Sequence, residues 1–261
     1  MATGTMLASY ALARREVVRF LRQRNRVTGA LVQPVLFWVL FGAGLSPSFR
    51  SGSVGYSEYF FPGVIVMIVL FTAIFATISI IDDRNTGFLQ GVLVAPVPRS
   101  AIVLGKIGGT TVLAVGQALL VAAAAPLFGM SIGFGGVLAS IPVLVLVSIS
   151  LAGLGLWIAW RMDSTQGFHA IMMSVLMPMW LLSGAFFPPG GTPSWLSIII
   201  ACNPLTYGVA LLRHALYLGS PAATALLPPA SACLMVTLLF AVATVAGASS
   251  AARVRGSGSL P

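Results

Sequence analysis

The sequence predicts an all-α integral membrane protein with six transmembrane helices. Three observations carry that reading. Mean hydropathy is +1.00, with 58% hydrophobic and 7% charged residues, too little polar surface for a domain facing water. Six apolar segments approach the roughly 20 residues a helix needs to cross hydrocarbon. The few Lys and Arg gather on one side of those segments.

Taken in order, the spans fall at about 27–45, 60–81, 107–128, 135–160, 168–187 and 229–250. The second, "FFPGVIVMIVLFTAIFATISII", has no charge from Phe60 to Ile81. Prolines at 34, 62, 142 and 178 are compatible with spans, because neighbouring helices satisfy the freed backbone groups. Ten-residue alternating strands of a membrane barrel are missing. An even number of spans puts both termini on one side. That side carries Arg14, Arg15, Arg19, Arg22, Arg24, Arg26, Arg84, Arg99, Lys106, Arg161, Arg253 and Arg255, against Arg50 and Arg213 on the other. The positive-inside rule makes it the cytoplasmic side. It also explains the net charge of +9 without nucleic acid.

Between spans, residues 82–106 hold Asp82, Asp83, Arg84, Arg99 and Lys106. Charges at a bilayer centre cost about 2.5–3.5 kcal/mol each, so this segment is a cytoplasmic loop. Phe88, Leu89, Val92 and Leu93 recur at near-helical spacing within it, and Pro96 and Pro98 stop the pattern. A short greasy helix there must bury its apolar side against headgroups, the chain's own helix ends, or a partner. Residues 5–26 form an amphipathic helix with Leu7, Tyr10, Ala11, Val17, Val18 and Leu21 on one face. Arg15, Arg19, Arg22 and Arg26 lie on another, placed for anionic headgroups. A charged flank that only orients the first span accounts for the same arginines. Residues 188–218 on the outer side are broken by prolines yet too apolar for a solvated loop. They suit two short helices, about 194–201 and 205–218, in a shallow re-entrant segment. The end, "RVRGSGSLP", reads as a short disordered tail.

No catalytic or metal-binding constellation is visible. Cys202 and Cys233 are too few for a disulfide framework, and His169 and His214 fall on opposite sides as packed histidines. "LGKIGGT" lacks the first glycine and the hydroxyl of a phosphate loop, having Ser100 and Ile107 there. Secondary transporters place ionisable groups within spans to carry protons or ions, and here the span interiors offer little beyond Gln33, Gln117 and His169. Gly105 and Gly109 have the spacing that favours close helix packing.

The stretch Asp83-Arg84-x-x-Gly87-Phe88-Leu89-x-x-x-Leu93-Val94-Ala95-Pro96-Val97-x-Arg99, followed by Gly105-Lys106, resembles the signature of ABC-2 type transporter permeases. "PMWLLSGAFFP" (178–188) and "NPLTYGVALLRHAL" (203–216) resemble that family's fifth span and outer re-entrant segment. The resemblance extends over nearly the whole chain. It implies the membrane subunit of an ATP-driven exporter in a bacterial plasma (inner) membrane. Such a subunit binds no cofactor itself. Two copies of a separate P-loop ATPase carry ATP and Mg, and a second permease, identical or paralogous, completes the assembly. The loop after the second span resembles the coupling helix, which implies ATPase contact through Asp83, Arg84, Gly87, Phe88, Leu89, Leu93, Pro96 and Arg99, with Phe88, Leu89 and Leu93 as apolar knobs. Gln90 departs from a common acidic residue, and Gly91 weakens the helix. Pro188, Asn203, Pro204, Tyr207 and Arg213 match the outer motif. An ion-coupled secondary transporter, a membrane-embedded enzyme and a non-transporting subunit are the competing classes.

Overall fold

The apolar segments become helices because a backbone in hydrocarbon must satisfy its own hydrogen bonds. The computed structural model describes residues 2–45, 50–51, 54–94, 97–128, 130, 132–186, 193–220, 224 and 227–255. Among these the chain runs α1 (Ala2–Arg22), α2 (Arg24–Leu45), a two-residue antiparallel pair of β1 (Arg50–Ser51) with β2 (Val54–Gly55), and α3 (Tyr56–Thr77). Then come α4 (Ser79–Asn85), α5 (Phe88–Val94), α6 (Arg99–Ala124), α7 (Phe134–Ala159) and α8 (Thr165–Trp180). The last continues as a π-helical turn over Leu181–Ala185. α9 (Ser194–Cys202), α10 (Pro204–Leu216) and α11 (Ala230–Arg255) complete the order.

Six of the described helical segments are long and apolar enough to cross a membrane: α2, α3 with α4, α6, α7, α8 with its π turn, and α11. The second is the hub. Its most apolar window is 94% buried, and it touches α2, α6, α7, α8 and α10. It is apolar all round, as suits a membrane span, and its central place is set by close packing against these neighbours, since lipid is as apolar as its own side chains. α2 and α11 bury far less and stand at the edge.

Helix starts and stops differ from expectation where tertiary contacts intervene. α6 begins at Arg99, so Lys106 sits two turns inside a spanning helix rather than in a loop. α11 runs to Arg255, so the first part of the expected tail is helical. α9 and α10 meet at a 79° bend. The bend is held at Asn203, whose side chain accepts from Leu205 N at 3.0 Å and donates to the Met179 carbonyl at 2.6 Å. Pro204 follows at the first helical position, where its missing N–H costs nothing.

Two ends can be distinguished. The basic end gathers α1, α4, α5 and the start of α6. The opposite end gathers the start of α3, the π turn and the α9–α10 pair. There Tyr56, Phe60, Trp180 and Phe186 form an aromatic cluster. Trp180 Nε1 donates to the Gly63 carbonyl at 2.8 Å, tying α8 to α3.

Candidate functional site

α1 crosses α6 where Gly105 and Gly109 remove the obstacle of a side chain. A Cβ at Gly105 would lie 2.7 Å from Leu12 Cβ and 2.9 Å from the Ser9 carbonyl oxygen; at Gly109 it would lie 2.9 Å from both the Ala13 carbonyl oxygen and Glu16 Cβ. This close approach brings Glu16 against the flank of α6, beside Lys106.

The result is a buried charge cluster. Lys106 Nζ donates to Glu16 Oε2 at 2.6 Å, Ser79 Oγ at 2.7 Å and Asp83 Oδ2 at 2.7 Å, which uses all three ammonium protons. Asp83, 1% exposed, also accepts from Arg15 through both guanidinium Nη atoms at 2.9 and 3.1 Å and from Arg19 Nη1 at 2.7 Å. That fork geometry is the strong form of a carboxylate pair. The Asp83 hydrogen bonds raise the Arg15 guanidinium above its usual range, against the opposing effect of burial. Asp82 accepts from Arg19 and Arg26, each at 3.3 Å. Three carboxylates thus face four cations, and α1, α2, α4 and α6 are joined at one point. Removing one member of a buried pair costs about 3–5 kcal/mol, because the partner keeps its desolvation penalty.

α5 hangs from this cluster. α4 ends at Asn85, and Gly87 adopts φ +77°, which turns the chain into α5. Phe88 is 38% exposed, with the Arg15 guanidinium 3.6 Å from its ring centroid. Leu89 is 4% exposed and belongs to the core. Gln90 and Gly91 face outward, and Val94 is 84% exposed. Between α5 and α1 runs an apolar groove of about 470 Å³, lined by Ala8, Ala11, Leu12, Phe88, Gly91, Val92 and Val97.

The other loop residues are ties within the chain. Arg84 donates to the Met162 carbonyl at 2.8 Å, the Trp160 carbonyl at 3.3 Å and Asp163 Oδ1 at 3.0 Å, holding the turn between α7 and α8. Arg99 donates to the Arg253 carbonyl at 2.6 Å, holding the end of α11. Asp83, Arg84, Arg99 and Leu89, read from the sequence as a contact set, are therefore occupied by their own chain. The outward positions of α5 are Phe88, Gln90, Gly91 and Val94. The Leu93 side chain and Pro96 lie outside the described residues, as does Pro188.

α1 is arranged differently from the expectation of arginines on headgroups. The helix expected over 5–26 breaks at Gln23: Arg15 and Arg19 of α1 and Arg26 at the start of α2 turn inward to Asp82 and Asp83, and Arg22 is exposed. The exposed face is the apolar one, with Leu7, Tyr10 and Leu21 uncovered, as suits a helix whose greasy side meets lipid. Two cluster members escaped the sequence reading: Glu16 and Ser79. Glu16 carried a signal, being the one acidic residue in a basic helix and sharing a face with Ser9, Leu12 and Ala13 at helical spacing.

At the opposite end, Tyr207 donates to the Ala201 carbonyl at 2.9 Å, and Arg213 is buried. Elsewhere, Gln117 accepts from Thr72 Oγ1 at 2.6 Å inside the bundle. His169 meets Phe75 edge-on, and His214 contacts the Pro228 carbonyl at 3.0 Å.

A bundle of six spanning helices with a short helix clamped at its basic end defines a multi-pass membrane protein of the transporter-permease class. The profile of the ABC-2 type transporter matches residues 8–217, most of the chain, and the chain belongs to that family. It is 28% identical over 213 residues to the putative transport permease ycf38 of Cyanophora paradoxa, covering 78% of this chain and 72% of the relative. It is 27% identical over 221 residues to nodulation protein J of Rhizobium leguminosarum bv. viciae, covering 84% and 85%. It is 22% identical over 194 residues to the daunorubicin resistance ABC transporter permease protein DrrB1 of Streptomyces coeruleorubidus, covering 72% and 67%.

Proposed function

We propose that the chain is the permease of an ATP-driven exporter, moving its substrate outward with energy from a separate P-loop ATPase seated on α5. The observation that carries this reading is the division of α5 into an anchored and an open side. Leu89 sits in the core and Phe88 rests on Arg15, while Gln90, Gly91 and Val94 face outward beside an apolar groove. An exposed apolar turn of this kind calls for a covering surface. The Lys and Arg excess around α5 supports a cytoplasmic position for it and for both termini, on the inner side of a bacterial plasma membrane, where an ATPase can reach it.

The ties around α5 suggest how a push would travel. Force on Phe88 acts on Arg15 and hence, through Asp83 and Lys106, on α1, α4 and α6. Arg84 and Arg99 lead to the α7–α8 turn and to α11. Two ATPases closing on ATP and Mg would move two such permeases against each other and open a path between them. A groove of about 530 Å³ along the exposed side of α2, with Asn25, Thr28 and Gln33 among apolar residues, supports that side as the path and the seam with the second permease. The exported molecule is of drug, lipid or glycan type.

Phe88→Asp with Val94→Asp tests the reading. The variant should fold and lose co-purification with the ATPase by at least about tenfold, since two central apolar contacts become charges. Undiminished capture, or transport that continues with a hydrolysis-dead ATPase and collapses only with the proton gradient, would leave the ion-coupled alternative in its place.

A further inference from the structure

Among the described residues four charged side chains are buried, and three of them, Glu16, Asp83 and Lys106, are ion-paired, with Arg15 and Arg19 adding positive charge at Asp83. The fourth is Arg213, 3% exposed, in the last turn of α10 at the opposite end of the bundle. None of the ion pairs among the described residues includes it. Its Nη2 donates to the Tyr59 carbonyl at 3.1 Å, and its guanidinium carbon lies 4.2 Å from the Tyr59 ring centroid. Nε is buried with no partner.

A guanidinium has five N–H donors and stays protonated at any physiological pH. A buried cation that lacks a counter-charge bears an uncompensated desolvation penalty. The Tyr59 ring face and the carbonyl end of α10 offset part of it. The neighbouring hydroxyls bring no negative charge: Tyr217 donates to the Glu58 carbonyl at 2.6 Å and Tyr59 to the Gly184 carbonyl at 2.6 Å, and the Tyr59 oxygen offers the guanidinium a neutral acceptor only. Glu58, in the first turn of α3, forms no ion pair with Arg213 among the described residues. The site stands where a spanning helix begins, among Tyr56, Tyr59 and Tyr217, a setting typical of the membrane–water boundary.

We propose that Arg213 receives an oxyanion through the donors its own chain leaves unused, with the Tyr59 ring and carbonyl holding the guanidinium plane. Phosphate is the chemistry that a planar fork binds best at such a depth, whether carried by a lipid headgroup or presented free by a transported molecule. This site is independent of the ATPase reading and stands or falls without it.

The experiment uses the full chain purified in neutral detergent and stripped of lipid. Its melting temperature is followed against phosphatidylglycerol and, separately, inorganic phosphate. Wild type should be stabilised, and Arg213→Gln should need at least about tenfold more of the same probe. A response to phosphatidylglycerol alone identifies a lipid site, and a response to inorganic phosphate as well identifies a general oxyanion site. No stabilisation of wild type by either probe, or equal stabilisation of Arg213→Gln, overturns the proposal. Should Arg213→Gln not fold, Arg213→Lys decides: it keeps the charge and loses the fork. A response several-fold weaker than wild type supports the site, and an unchanged one overturns it.

Discussion

Lys106 Nζ lies 2.6 Å from Glu16 Oε2, across the contact between α6 and α1, with both side chains buried. The contact spans 90 positions of sequence and joins the helix before the first span to the third span. Its removal gives the most direct prediction. Lys106→Met leaves Glu16 and Asp83 as neighbouring buried carboxylates without their shared cation. The expected loss is about 3–5 kcal/mol, read as a lower denaturation midpoint of the purified chain. Adding Glu16→Gln should recover part of that loss, since the double variant buries one carboxylate fewer. A double variant with the two single losses simply added would show that the contact carries no coupling.

The glycines of α6 make a matched pair of tests. Gly109→Leu must displace Ala13 and Glu16, because even a Cβ there would stand 2.9 Å from both. α1 should lift from α6, with a loss of about 1–3 kcal/mol and faster proteolysis within α1. Gly108→Leu, one residue earlier, meets nothing within 4 Å and should leave melting and proteolysis close to wild type.

Adjacent positions of α5 should respond oppositely to one charge. Leu89→Asp places a carboxylate in the core and should abolish monodisperse chain in size-exclusion chromatography. Gln90→Asp, on the exposed side, should stay within about 0.5 kcal/mol of wild type. Equal yields for the two variants would mean that α5 does not sit with Leu89 inward.

The two kinds of ion pair at the basic end should differ in their response to salt. Asp163 is 74% exposed in its side chain, and Arg84 keeps two carbonyl partners without it. Asp163→Asn is therefore expected to change stability by under about 1 kcal/mol, with what remains vanishing in 1 M salt. The Lys106 variant's deficit should persist at that salt concentration, because buried pairs are little screened.

Much of this protein was legible in its residues. The spans follow from hydropathy, and the basic end from the placement of Lys and Arg. The short helix α5 follows from the spacing of Phe88, Leu89 and Val92, and the short helices α9 and α10 from the proline-broken apolar stretch 188–218. Each of these is decided by the chemistry of consecutive residues, which is why a linear reading reaches them. The Gly105/Gly109 spacing marked a close contact without naming the helix that makes it.

What required the tertiary structure was the assignment of partners and of inward faces. Periodicity shows that α1 has an apolar side and a basic side, yet not which one meets the bundle; the basic side does, because Asp82 and Asp83 wait there in a medium too apolar to leave them unpaired. The same applies to Leu89, whose spacing marks it as apolar without saying whether its own chain or another covers it. The sequence alone determined where the chain is greasy and where it is charged, since transfer from water acts residue by residue. Only the three-dimensional structure decided which charges cancel, since Coulombic pairing depends on distances between segments up to 90 residues apart and on the absence of water between them.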